Sequence, residues 1–143
     1  MAKRILAPID SREHSETIVP IVFALARGAG STVRLLRVFP VPDRVIGTHG
    51  RTVAYADQEM ARLTAEGLAD LRRLETELTG VPVETVVRFG EPVEEIALEA
   101  EAFEADLIAL GSGRHGRLRS ALAPGIAEQV SRAADVPTLT LRG

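Results

Sequence analysis

Residues 106–133 read DLIALGSGRHGRLRSALAPGIAEQVSRA, and the order of element types within them decides the fold. Asp106–Leu110 is a short apolar run that reads as a buried strand ending at Gly111. Gly111, Gly113 and Gly116 then interleave with Arg114, His115 and Arg117, and a helical pattern resumes near Leu118. Glycines let backbone N–H groups approach a ligand closely, and a helix N-terminus adds about half a positive charge. Strand, glycine loop and helix in that order therefore suit a small anion or phosphate.

Outward from that stretch, strand-like and helix-like segments alternate. Arg4–Ile9 is a first strand, interrupted by Pro8 and ended by Asp10. Thr17–Arg27 follows as a helix with Ile18, Val22 and Leu25/Ala26 on one face. Pro20 fits there if Thr17 caps the helix, because a first-turn residue has no helical partner for its N–H. Gly28 and Gly30 close it. Thr32–Phe39 is a second strand, and Pro40, Pro42, Gly47 and Gly50 mark a long loop.

A long amphipathic helix spans about Val53 to Leu78, with Gly67 inside it at a cost of about 1 kcal/mol relative to alanine. Val83–Arg88 is a third strand, and Pro92–Phe103 a helix with Pro92 near its first position. A final helix runs to about Ala134, and Pro137–Leu141 is the last strand. The order βαβαβαβαβ is that of a single α/β domain: a doubly wound open sheet of five mainly parallel strands with about four helices. Ligands of such sheets bind beyond the carboxyl ends of the strands, where strand order reverses. If the first and fourth strands flank that point, Asp10 and the glycine loop line one crevice.

Composition excludes several classes. The chain has 143 residues, 45% hydrophobic and 26% charged, with a net charge of −3. Its Lys and Arg are spread along the chain, so no nucleic-acid footprint is expected. It has no cysteine, which removes disulfides and thiolate chemistry. No run of about 18 apolar residues and no signal-like N-terminus occur, so a cytoplasmic protein without membrane attachment is expected. His14, His49 and His115 lack ligand spacing for a metal. His14 and His115 facing each other near Asp10 would allow acid–base chemistry; as surface loop residues they would do nothing.

Several sharper motifs fail on context. Residues 111–116 spell GxGxxG, but Asp135, at the right distance, precedes the last strand instead of following it. No P-loop is present, and Ser112 lacks the flanking glycines of a nucleophile elbow. A phosphoryl-accepting receiver would need an aspartate after the third strand, where Arg88-Phe-Gly-Glu-Pro stands instead. The tetrapeptide Gly47-Thr-His-Gly50 lies in the loop after the second strand, and chance explains it.

The chain resembles the universal stress protein family nearly end to end. The likeness rests on KRILAPIDSREHSE at the start, GEPVEEI at 90–96, ADLIALGS at 105–112, GIAEQV at 125–130 and ADVPTLTLR at the close. It implies the adenine nucleotide alpha hydrolase-like fold, with strand order 3-2-1-4-5. It also implies a homodimer through the last strand (Thr138, Leu139, Thr140, Leu141), and a stress-response binding or signalling role. A ligand, ATP with Mg, would by resemblance meet Pro8, Ile9, Asp10, Val38, Leu110, Gly111, Ser112, Gly113, Arg114, Gly116, Gly125, Ile126 and Ala127.

One departure bears on that ligand. ATP-binding members carry glycine, two residues, glycine, nine residues, glycine, then serine or threonine. Here Gly111 keeps the pattern, while Arg114, Pro124 and Gly125 occupy the other positions. Pro124 has no N–H to offer a phosphate oxygen. The glycines are displaced rather than lost: Gly113 and Gly116 could present donors, with Arg114 and Arg117 adding charge-assisted bonds. A nucleotide cradle and a solvated glycine-rich turn both remain open. Asp10 likewise suits either a ribose or adenine contact or a turn cap, and Val38 either an adenine contact or core packing. The alternative function is slow ATP hydrolysis in the same crevice, for which Asp10 and the more remote Glu13 are a thin inventory.

Overall fold

A computed structural model describes residues 3–9, 12–42, 50–111 and 126–141. In chain order the elements are β1 (Arg4–Pro8), α1 (Arg12–Ala29), β2 (Thr32–Phe39), α2 (Gly50–Glu75) and β3 (Val83–Phe89). They continue with α3 (Pro92–Phe103), β4 (Leu107–Gly111), α4 (Ile126–Ala134) and β5 (Thr138–Leu141). All neighbouring strands pair in parallel, and the sheet order is β3-β2-β1-β4-β5. The expected strand order and alternation are therefore found.

Alternation along the strands builds two cores. Ile5, Ala7, Val33 and Leu35 pack with Ile18 and Val22 of α1 and Leu71 of α2 on one face. Leu6, Leu36, Ile108 and Leu110 pack with Ile96, Ala100 and Phe103 of α3 and Val130 of α4 on the other. A strand buried on both faces explains why β1, β2 and β4 read as apolar runs rather than as alternating ones.

Two expectations shift. α1 begins at Arg12, not Thr17, so Pro20 stands inside the helix rather than in its first turn. Its missing N–H leaves the Glu16 carbonyl without its helical donor, a cost of about 3 kcal/mol in a helix interior. Pro20 is on the exposed side, and Ile18, Val19 and Val22 beside it are almost wholly buried. α2 ends at Glu75, yet Leu78 is buried in the turns that follow, where Glu77 and Leu78 donate to the Leu74 and Glu75 carbonyls. Apolar spacing ran on past the helix because the chain kept covering the same core.

Gly67 has a packing reason. A Cβ there would come within 2.9 Å of Phe39 Cε2 and 3.1 Å of Val87 Cγ2. The glycine lets α2 lie directly on the ends of β2 and β3, an arrangement that offsets its poor helix propensity.

A charged network fixes α3 against β2 and β3. Glu99, only 3% exposed, accepts from Arg34 of β2 and from Arg88 of β3, the latter at 2.7 Å. Arg88 also donates to Glu95 at 2.8 Å, and Arg34 to Glu84. Hydrogen bonds to Glu95 and then Glu99 hold the Arg88 guanidinium above its ordinary pKa.

Candidate functional site

The candidate crevice follows from chain direction. From β1 the chain crosses over α1 to β2, and from β3 it crosses over α3 to β4, on the opposite face. β1 and β4 are nonetheless neighbours, so they form the point where strand order reverses. That is where an open parallel sheet leaves room at its carboxyl ends.

The backbone pairing of β1 differs on its two sides. β1 pairs with β2 over its whole length, from Arg4–Thr32 to Pro8–Leu36, and the Ile9 N–H adds a bond of 2.7 Å to the Leu36 carbonyl. Among the described residues β1 pairs with β4 only at Ile5–Leu107 and Leu6–Ile108, although β4 continues to Gly111. In a parallel ladder the residues of one strand address its two neighbours alternately. Ile9 addresses β2, so Pro8 addresses β4, and proline has no N–H to give. The β1–β4 ladder ends where its next donor would be Pro8.

Of the site residues named from sequence, Pro8 and Ile9 stand at the carboxyl end of β1, and Leu110 and Gly111 at that of β4. Ile9 and Leu110 are each 4% exposed and belong to opposite faces of the sheet. Val38 is half-buried on Leu110's face, and its ladder partner on β3 is Arg88. Ile126 and Ala127 open α4. The structure thus brings Pro8, Ile9, Leu110 and Gly111 to adjoining strand ends. Asp10, Ser112, Gly113, Arg114, Gly116 and Gly125, with Pro124, lie outside the described residues.

The neighbouring turn after β3 is tightly built. The Gly90 N–H donates to the Phe39 carbonyl at 2.9 Å, and Gly90 has φ of 149°. A Cβ at Gly90 would strike the Glu95 carboxylate, so only glycine allows Glu95 to reach Arg88 from the first turn of α3. Glu91 caps that helix by accepting the Glu94 N–H at 3.0 Å. Phe39 and Phe89 stack with centroids 5.7 Å apart. The GEPVEEI segment is therefore structural, and holds the β3 end of the carboxyl face in place.

From the sequence, Pro8 belongs to the site by resemblance alone and is otherwise an interruption of the first apolar run. Its effect on the ladder was hidden because strand neighbours and bond direction are not readable from one sequence. The signal was a proline inside a strand of the sheet centre, where prolines are normally excluded.

Among the described residues no group of three or more His, Cys, Asp or Glu could hold a metal ion. Nor is any helix among them long and apolar enough to cross a membrane.

Comparison with known proteins agrees with this architecture. The hypothetical protein MJ0577, whose structure was used to assign its biochemical function, is 27% identical, with a TM-score of 0.80 over 99% of this chain and 96% of its own. A universal stress protein in complex with cAMP shares the fold at 15% identity and a TM-score of 0.63, over 97% and 96% of the two chains. The universal stress protein of Archaeoglobus fulgidus in complex with dAMP does so at 18% identity and a TM-score of 0.57, over 99% and 98%. A search of curated proteins found no match. The family model described as "Universal stress protein family" matches residues 1–142, and with this sheet order and these neighbours the chain belongs to the universal stress protein family.

Proposed function

We propose that this protein is a binding and signalling module of the stress response that takes an adenine nucleotide between the β1 and β4 loops. The observation that carries the reading is the interrupted β1–β4 ladder at the switch point, with Gly111 at the mouth and Val38 on the adjoining strand. Two proteins of the same fold are in complex with cAMP and with dAMP, both adenine monophosphates. Base and ribose would lie toward Asp10 and Val38. The phosphate would lie toward residues 111–127, whose Gly113, Gly116 and first turn of α4 would supply N–H donors.

Pro124 at one motif position removes a backbone donor open to a triphosphate, and Arg114 at another lacks the close backbone approach a glycine allows. A monophosphate therefore suits this loop better than ATP with Mg. By resemblance Asp10 is the carboxylate on offer to a Mg ion, and a hydrolase would need more than that. Binding and sensing is the reading we adopt over turnover. It extends to a homodimer through β5, an end strand of the sheet whose Leu139 is 37% exposed.

The test is mass spectrometry of ligand released from freshly purified protein, with titration calorimetry against AMP, cAMP and ATP with and without Mg. Micromolar binding that weakens about tenfold or more in Asp10→Ala and in Gly113→Val is expected. No released nucleotide and no heat with any of them would sink the proposal. ADP accumulating from ATP would replace it with the hydrolase.

A further inference from the structure

We infer that Pro8 is the positioning residue of the crevice: its missing N–H ends the β1–β4 ladder and so admits a flat heterocyclic ligand between the strand ends. The inference rests on the proposed function for its ligand class, but its structural half stands alone. Three observations converge on it. Ile9 donates to Leu36 and so addresses β2, which by alternation turns Pro8 toward β4. β1 is the central strand of five, a place where proline is normally excluded. The ladder nevertheless runs to the last residue of β1 on the β2 side and stops two residues earlier on the β4 side.

Without a donor at residue 8 the next rung, to the carbonyl of Ala109, has nothing to close it. Ala109 is fully buried and lies one step beyond Ile108, the last residue of β4 paired to β1. Any other residue at position 8 would supply the N–H and draw Gly111 toward Ile9. That would zip shut the strand ends the nucleotide needs. Proline here trades one backbone bond for an opening.

Pro8→Ala and Pro8→Val test this, the second because a β-branched side chain suits a strand. Three readouts are needed: amide hydrogen exchange at residue 8, melting temperature, and AMP affinity by calorimetry. The new amide is expected to exchange slowly, as a ladder donor does, and the melting temperature to stay within about 3 °C of wild type. AMP affinity should fall about tenfold or more in the same folded protein. A residue with a merely structural role would lose affinity only with stability. Wild-type affinity in both folded variants overturns the inference. If the wild-type protein binds no AMP, the nucleotide reading fails, and exchange alone decides: a protected amide at residue 8 sustains the ladder-ending role, a fast one removes it.

Discussion

The two ends of the sheet are built in opposite ways. At the amino end every neighbouring pair of strands is tied by a backbone bond: Thr32 to Lys3, Val33 to Pro82, Asp106 to Arg4 and Ile108 to Pro137. Side chains add to it. The Asp106 carboxylate accepts the N–H groups of Lys3 and Arg4 at 2.9 and 3.0 Å, and Arg4 reaches Glu104 and the Phe103 carbonyl. Among the described residues at the carboxyl end, the ties beyond the ladders run from Ile9 to Leu36 and from Gly90 to Phe39, on the β1, β2 and β3 side. Between β1 and β4 the ladder lapses at Pro8. Closed rungs at one end hold the scaffold together, while the unmade rungs at the other fall where the proposed ligand would sit.

The contrast breaks first at Phe103. Its ring is 6% exposed, lies 4.2 Å from the Arg34 guanidinium and 6.0 Å from that of Arg4, and belongs to the core of the α3 face. Phe103→Ala should cost about 3–5 kcal/mol, from lost burial and the cavity left behind. Calorimetry should show melting about 10 °C or more lower. If the amino end serves stability alone, nucleotide affinity of the folded variant stays within about twofold of wild type. A parallel loss of affinity would show the two ends coupled.

Much of this architecture was legible in the sequence, because β1, β2 and β4 announce themselves as apolar runs between glycines and prolines. The site was legible only through the resemblance and the Gly111 loop. The charged network was not seen, although Glu99 shares the spacing of Ile96 and Phe103 on α3 and so falls on its buried stripe. A glutamate there reads as a surface residue until Arg34 and Arg88 are known to face it across the sheet. Those partners come from β2 and β3, 65 and 11 residues away. Long-range pairing of that kind leaves no periodic trace. The same holds for the start of α1, where a proline rule that is sound locally was overridden by burial of Ile18, Val19 and Val22.

A smaller effect sharpens the carboxyl end. On helix propensity alone, Gly67→Ala should stabilise α2 by about 1 kcal/mol. Contact with Phe39 and Val87 should reverse the sign, since overpacking costs about 1–3 kcal/mol. Melting is therefore expected to fall by up to about 6 °C, and a rise would mean that α2 lifts off the strand ends freely.

The smallest effect concerns Asp106, and pH gives it a direction. Backbone N–H bonds from Lys3 and then Arg4 hold its carboxyl below the usual aspartate range. A folded-state pKa below the unfolded value of about 3.9 means that the ionised form stabilises the fold. That contribution is complete above the unfolded pKa and is lost as pH falls through the lower, folded one. Comparing wild type with Asp106→Ala, the gap in melting temperature should be constant from pH 7 to about 5 and shrink below about 4. The group is exposed, so the gap should be a few degrees at most and reduced by salt. A gap that ignores pH would mean that Asp106 acts by shape alone. Loss of nucleotide binding in that variant would deny the separation of ends altogether, since Asp106 sits at the opposite end of β4 from Gly111.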